Sequence, residues 1–138
     1  MTDATTVTVL FDAARAAQER AYAPYSRFRV GAALVTTEGA LHAGCNVENA
    51  AYPVGTCAEA GAISAMVAGG GRAIAALLVL GEGPALCAPC GACRQRIREF
   101  AADETQVLIA GPEGVRARVT LSELLPVSFG PANLGVRP

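Results

Sequence analysis

Tryptophan is absent from this chain of 138 residues, and three tyrosines with four phenylalanines make up all of its aromatics. Its core must therefore come from Ala, Val, Leu and Ile, and each Phe or Tyr outside an apolar run marks a surface with a task. Charge is scarce as well: 17% of residues are charged, and the formal net charge is −1. Binding a nucleic acid through phosphate neutralisation calls for a basic surplus. None exists, which excludes a polyanion and favours a small neutral partner. No apolar run approaches the roughly 20 residues that cross a bilayer, and no charged-then-apolar leader opens the chain. The expectation is a cytoplasmic protein without a membrane partner. With 52% hydrophobic residues, a chain of this length folds as one compact domain and not as a disordered one.

Five cysteines stand at positions 45, 57, 87, 90 and 93. An odd count without a secretory signal argues against a disulfide framework. Three of them crowd into Cys87-Ala88-Pro89-Cys90-Gly91-Ala92-Cys93, which points to metal or redox chemistry.

The spacing of Leu10, Ala13, Ala14, Ala17 and Ala21 predicts a helix from Val7 to about Tyr22, after a frayed, polar start at residues 1–6. Beyond Pro24, Phe28 to Thr36 and about Ala40 to Val47 read as two strands joined by a turn at Glu38-Gly39. A loop leads to a second helix, about Cys57 to Val67, which Gly69-Gly70-Gly71 stops. Ile74 to Leu80 is a near-continuous apolar run suited to a central strand buried on both faces. A third helix follows at Gly91 to Phe100. Strands at Gln106 to Ala110 and Val115 to Val119 flank the turn Gly111-Pro112-Glu113-Gly114. Thr120 with Glu123 makes a capping box for a short last helix ending before Pro126. The natural packing is α/β: three layers, with helices on both faces of one five-stranded mixed sheet. Residues 7–126 form the core of this single domain, 1–138, and 127–138 an irregular tail containing Phe129.

Taken alone, the cysteine cluster admits three chemistries. The Cys-x2-Cys-x2-Cys run resembles an iron–sulfur ligand set but lacks a fourth cysteine at the expected offset. A Cys-x-x-Cys redox pair at a helix start is a second reading. In the third, Cys90 and Cys93 clamp one zinc ion. A structural zinc site needs two further protein ligands, whereas a catalytic one needs a single further ligand and leaves a position to water. His42, the only histidine, lies in a predicted hairpin strand. Cys57 fits better, because it also begins a helix and brings Glu59 with it. Two helix N-termini on neighbouring strands of one sheet can deliver three thiolates to one Zn²⁺, whose bound water becomes acidic. Glu59 would stand beside that water and carry its proton.

Cys57-Ala58-Glu59 with Pro89-Cys90-x-x-Cys93 resembles the zinc-deaminase signature in its three-cysteine form. Further stretches narrow the likeness: Tyr25-Ser26-x-Phe28-x-Val30-Gly31-Ala32-Ala33, Gly44-Cys45-Asn46-Val47-Glu48-Asn49, Cys93-Arg94-Gln95 and Ser128-Phe129-Gly130-Pro131. Over about residues 10 to 135 the chain is similar to the short, homotetrameric cytidine deaminases. The resemblance implies a cytidine deaminase-like fold, one Zn²⁺ per chain held by Cys57, Cys90 and Cys93, and hydrolysis of cytidine and 2′-deoxycytidine to the uridine nucleosides and ammonia in pyrimidine salvage. It implies attack at C4 by zinc-bound hydroxide, with Glu59 shuttling the proton to N3 and then to the leaving amine. It further implies that the Ala58 backbone meets the base edge, that Asn46 and Glu48 hold the ribose 3′ hydroxyl, and that Phe28 packs beside the base. Ala50, Tyr52 and Phe129 would reach a neighbouring subunit's site, so that active sites lie at the interfaces of a homotetramer. For Asn46 and Glu48 the alternative is loop capping, and for Phe28 a place in the core.

One departure concerns charge. Many members of that family carry Arg directly after the Cys-Ala-Glu triplet, where it hydrogen-bonds the thiolates, whereas this chain has Ala60. Arg94 remains to supply relief, and two of Arg94, Arg96 and Arg98 are expected to be merely solvated. The rival readings are a deaminase for a blasticidin-type nucleoside, a non-catalytic zinc scaffold and a thiol redox protein. The intact Asn-x-Glu-Asn segment speaks against the first, and the last two leave Glu59 without a role.

Overall fold

The structure is a computed structural model that describes residues 1–136. In chain order it contains α1 (Ala4–Gln18), β1 (Gly31–Thr36), β2 (Leu41–Cys45), α2 (Ala58–Ala68), β3 (Ile74–Leu80), α3 (Gly91–Phe100), β4 (Ala101–Gly111), β5 (Gly114–Thr120) and α4 (Leu121–Leu124). Short 3-10 turns occur at Tyr52–Val54 and Pro131–Leu134. The strands form one sheet in the order β2-β1-β3-β4-β5. Only the β3–β4 pair is parallel; the other neighbours are antiparallel. The expected five-stranded mixed sheet is present, but β2 and β3, which lead into α2 and α3, are separated by β1 and are not neighbours.

Both faces of β3 are covered, which is why its sequence is apolar without alternation. Leu77 and Val79 point into one core, shared with Leu34, Ala62, Met66, Ile97, Val107 and Leu121. Ala76, Leu78 and Leu80 point into the other, shared with Leu10, Ala14, Ala33 and Leu108. Helix α1 therefore covers one face, and α2, α3 and α4 cover the opposite one.

Two glycines set how closely the helices sit. A Cβ on Gly31 would lie 1.9 Å from the Ala14 carbonyl oxygen, and one on Gly44 would lie 2.4 Å from the Ala62 nitrogen and 2.6 Å from the Ala58 oxygen. The start of α2, which carries Cys57 and Glu59, is thereby pressed directly onto β2.

Several boundaries differ from the expectation. Helix α1 begins at Ala4 because the Asp3 carboxylate accepts the Thr6 N–H at 2.7 Å, a regular N-cap. It ends at Gln18, and Tyr22 pairs with Val47 instead of extending the helix. Strand β1 starts at Gly31, not Phe28, because the Asn46 side chain takes the Val30 N–H and the Phe28 carbonyl that a ladder would use. Strand β4 begins at Ala101, directly after α3, where Ala101 pairs with Ile74. The capping box of Thr120 and Glu123 opens α4. The tail includes the turn Pro131–Leu134, and residues 137 and 138 lie outside the described residues. Among the described residues no helix is long and apolar enough to cross a membrane.

Candidate metal centre and active site

The loop after β2 ends at Cys57, the N-cap of α2, and the loop after β3 ends at Cys90, the N-cap of α3. N-cap positions favour Ser, Thr, Asp or Asn, whose oxygens satisfy the first free N–H groups. Cys57 makes no capping hydrogen bond, so its thiol is left available. Cys93 follows Cys90 by one turn of α3 and is fully buried. Together Cys57, Cys90 and Cys93 place their sulfurs within 4.8 Å of one another. His42 stands at the other end of α2, against Gly69, and is not part of this group.

The thiols are not equivalent. Burial pushes Cys57 above the ordinary thiol value, and burial pushes Cys93 far above it, with the charges of Glu59, Cys57 and Cys90 adding to the effect. Cys90 moves the other way, because the backbone N–H of Cys93 stabilises its thiolate at the positive end of α3. Burial thus disfavours the thiolate at Cys57 and Cys93, while the helix terminus favours it at Cys90. Tetrahedral zinc holds thiolates at about 2.3 Å, which sets sulfurs roughly 3.8 Å apart. Sulfurs within 4.8 Å of one another are compatible with that spacing, and an all-thiolate donor set suits zinc. The residues present therefore fit the metal.

Glu59 sits in the first turn of α2 and is 5% exposed. Burial raises its pKa, so its carboxyl holds a proton more readily than a surface carboxylate. Glu59, Cys57 and Cys90 line a cavity of about 210 Å³ together with Val30, Asn46, Ala58 and Cys87. Cys87 is half-buried, and burial pushes its thiol up to about 11, which keeps it protonated and unreactive at neutral pH. Phe28 lies over Gly81, where its ring edge would be 3.2 Å from an added Cβ, beside Cys87.

A second hollow of about 350 Å³ is lined by Tyr25, Ser26, Glu48, Asn49, Tyr52 and Gly55. Glu48 accepts the N–H groups of Tyr25 at 2.9 Å and Ser26 at 3.1 Å, and also the Ser26 hydroxyl. These bonds, the hydroxyl first, hold its carboxylate below the usual range. Asn46 takes the Val30 N–H at 2.9 Å and donates to the Phe28 carbonyl at 2.9 Å. Loop capping is therefore what both side chains do in the fold, and Asn46 also reaches the thiol cavity. Ala50, Tyr52 and Phe129 are exposed, and none lines that cavity. Tyr52 meets Tyr25 edge to face at 5.9 Å. The Phe129 carbonyl accepts the Gln95 side chain at 2.9 Å, while Arg98 donates to Ser128 at 2.9 Å.

The arginines of α3 require a correction. Arg94 turns away from the sulfurs and fastens the Pro89 and Leu124 carbonyls. Arg96 donates from Nη1 to Cys93 Sγ at 3.4 Å. None of the three is merely solvated. Cys93 and Arg96 are neighbours on one helix face, a spacing that does not by itself tell Arg96 from Arg94.

Comparison with known proteins agrees with this geometry. The family model described as the cytidine and deoxycytidylate deaminase zinc-binding region matches residues 5–109. A cytidine deaminase of Sporosarcina psychrophila is 42% identical over 118 residues, covering 86% of this chain and 87% of that one. One from Mycobacterium tuberculosis is 47% identical over 111 residues, covering 80% and 79%. The crystal structure of a Burkholderia pseudomallei cytidine deaminase superposes with a TM-score of 0.83 at 45% identity, covering 94% of this chain and 100% of that one. Three converging thiols, a buried carboxyl two residues from the first of them and this fold thus coincide in one chain, which belongs to the zinc-dependent cytidine and deoxycytidylate deaminase family.

Proposed function

We propose that the protein hydrolyses cytidine and 2′-deoxycytidine to uridine and 2′-deoxyuridine, water replacing the C4 amine, which leaves as ammonia. The observation that carries this reading is the buried Glu59 carboxyl in the same cavity as Cys57 and Cys90. Cys57, Cys90 and Cys93 would hold the zinc ion. When bound, zinc supplies Lewis-acid activation of water.

Glu59 is the proton carrier: its raised pKa lets it take one proton from the attacking water and hand it to N3 of the base, then take the second from the new C4 hydroxyl and deliver it to the nitrogen as the C4–N bond breaks. The Ala58 backbone borders the same cavity and would meet the base edge. Phe28 would pack on the base. Asn46 and Glu48 retain acceptor capacity beyond their loop bonds, which suits them to the ribose 3′ hydroxyl.

The family likeness together with the high exposure of Tyr22, Tyr52, Val54, Leu86, Phe129 and Leu134 supports a homotetramer in which Ala50, Tyr52 and Phe129 complete a neighbour's site. Sedimentation of the purified protein as a monomer with full activity would count against that assembly. A cytoplasmic location goes with a free nucleoside as substrate, and fractionation that found the protein elsewhere would refute it.

The experiment is Glu59→Gln. The variant is expected to keep one zinc per chain while cytidine turnover falls by about 10² to 10⁴-fold, the range of general acid–base catalysis. Full turnover with zinc retained sinks the mechanism.

A further inference from the structure

We infer that Arg96 is a positioning residue of the metal centre, offsetting the thiolate charge from α3 where residue 60 of this chain offers no cation. The inference rests on the zinc site of the preceding section and concerns how this chain, with Ala60, holds it.

Loading the site converts three thiols and a dication into a cluster with one net negative charge, and the protons pass to solvent. A cation at hydrogen-bonding distance favours that product over the unloaded thiols. Arg96 Nη1 lies 3.4 Å from the sulfur of Cys93, the most deeply buried of the three ligands. Among the described residues no other guanidinium bonds to any of the three sulfurs.

Among the described residues Arg96 has no competing hydrogen bond, although its charge also acts on the Glu59 carboxyl. Arg94 is taken by the Pro89 and Leu124 carbonyls and Arg98 by the Ser128 hydroxyl. Among the described residues Arg96 bonds only to Cys93 and forms no ion pair.

The two positions share a spacing from a ligand but not a setting, because Cys57 is the N-cap of α2 whereas Cys93 lies inside α3. Residue 96 stands three positions after Cys93 on α3, and residue 60 stands three positions after Cys57 on α2. Side chains three apart on a helix are neighbours. Cys93 and Arg96 are such a pair within α3, and position 96 carries the cation of this chain.

The test compares wild type, R96M, R96K and the double variant A60R/R96M, each stripped and then titrated with zinc against a colorimetric chelator at fixed pH. Parallel titrations with Co²⁺ read the sulfur-to-cobalt charge-transfer band. R96M is expected to weaken zinc binding by about tenfold to a hundredfold, the usual effect of losing a partner of a metal ligand. Its cobalt band should move to lower energy, because an unrelieved thiolate gives up electron density more easily. R96K should recover most of the affinity, and A60R/R96M should recover it from the other helix. Metal-free R96M should unfold at the wild-type temperature.

R96M with wild-type zinc affinity within about twofold and an unmoved cobalt band overturns the inference. So does metal-free unfolding lowered enough to account for the weaker binding. A wild type that binds no zinc and leaves cytidine untouched overturns the proposed function instead, so the two failures are distinguishable.

Discussion

Replacing Gly44 with alanine adds one methyl group to β2 where the strand touches α2. Built on the existing backbone, it would lie 2.4 Å from the Ala62 nitrogen, 2.6 Å from the Ala58 oxygen and 2.7 Å from the Gly61 carbonyl carbon. All three are main-chain atoms, so no rotamer change relieves the contact, and α2 must retreat by roughly an ångström to restore van der Waals distance. Overpacking of this kind costs about 1–3 kcal/mol, and a main-chain clash belongs at the upper end. Stiffening of the unfolded chain by alanine returns about 0.4–1 kcal/mol. The net loss is about 2 kcal/mol, which for a chain of this length lowers the unfolding midpoint by about 7 °C. Because Cys57 heads the displaced helix, zinc binding should weaken in parallel; such sites tolerate shifts of only about 0.5 Å.

Gly61→Ala is the matched control. Its Cβ would meet Gly44 Cα at 3.5 Å and the Cys45 oxygen at 3.7 Å, both ordinary contacts, and alanine within a helix gains about 1 kcal/mol over glycine. Its midpoint should rise by about 3 °C. Calorimetry of the zinc-loaded proteins decides the matter. A Gly44→Ala midpoint within about 2 °C of wild type, or a Gly61→Ala midpoint that falls as far, refutes the close-packing argument.

Two further outcomes follow from the site. The Glu48 carboxylate titrates below its ordinary 4.5, chiefly through the Ser26 hydroxyl. As pH falls the unfolded chain takes up this proton first, so the stabilisation is full above 4.5 and is lost as pH drops through the lower folded value. Melting curves between about pH 6 and pH 3 should accordingly fall less steeply for Glu48→Gln than for wild type, and parallel curves would show that the Ser26 contact carries no linkage. Stripping zinc with a chelator should lower the midpoint by about 14 °C if free zinc stood near a thousand times its dissociation constant, since such binding stabilises by about 4 kcal/mol. A midpoint indifferent to the chelator would mean that the three thiols hold no ion.

Strand β3 and helix α3 were legible to the residue, because burial on both sheet faces leaves an unbroken apolar run and the cysteine cluster marks a helix start. Helix α1 was harder at its beginning. Thr5, Thr6, Val7, Thr8 and Val9 are β-branched and poor helix formers, so the turn that Asp3 caps looked frayed. Strand β4 was read short because its opening stretch, Ala102 to Glu104, is exposed and lacks the apolar pattern of its buried half. The three thiols and Glu59 could be assembled from spacing, since each sits at or beside a helix N-terminus. Arg96 could not be singled out in the same way: which of three alternate arginines on α3 faces a sulfur depends on where the tail and α4 draw Arg94 and Arg98.

The Asn46 amide has a consequence for ligand recognition. Its oxygen already accepts from Val30 and its nitrogen already donates to Phe28, so the main chain determines which end of the amide faces which way. A side chain locked in this manner pays little on meeting a ligand, sparing the roughly 0.5–1.5 kcal/mol that freezing a free rotamer costs. Its spare lone pair and spare N–H point in directions set during folding. In the role proposed for Asn46 at the ribose, selectivity at this position is thus written into the junction between a loop and the first strand, before any nucleoside arrives.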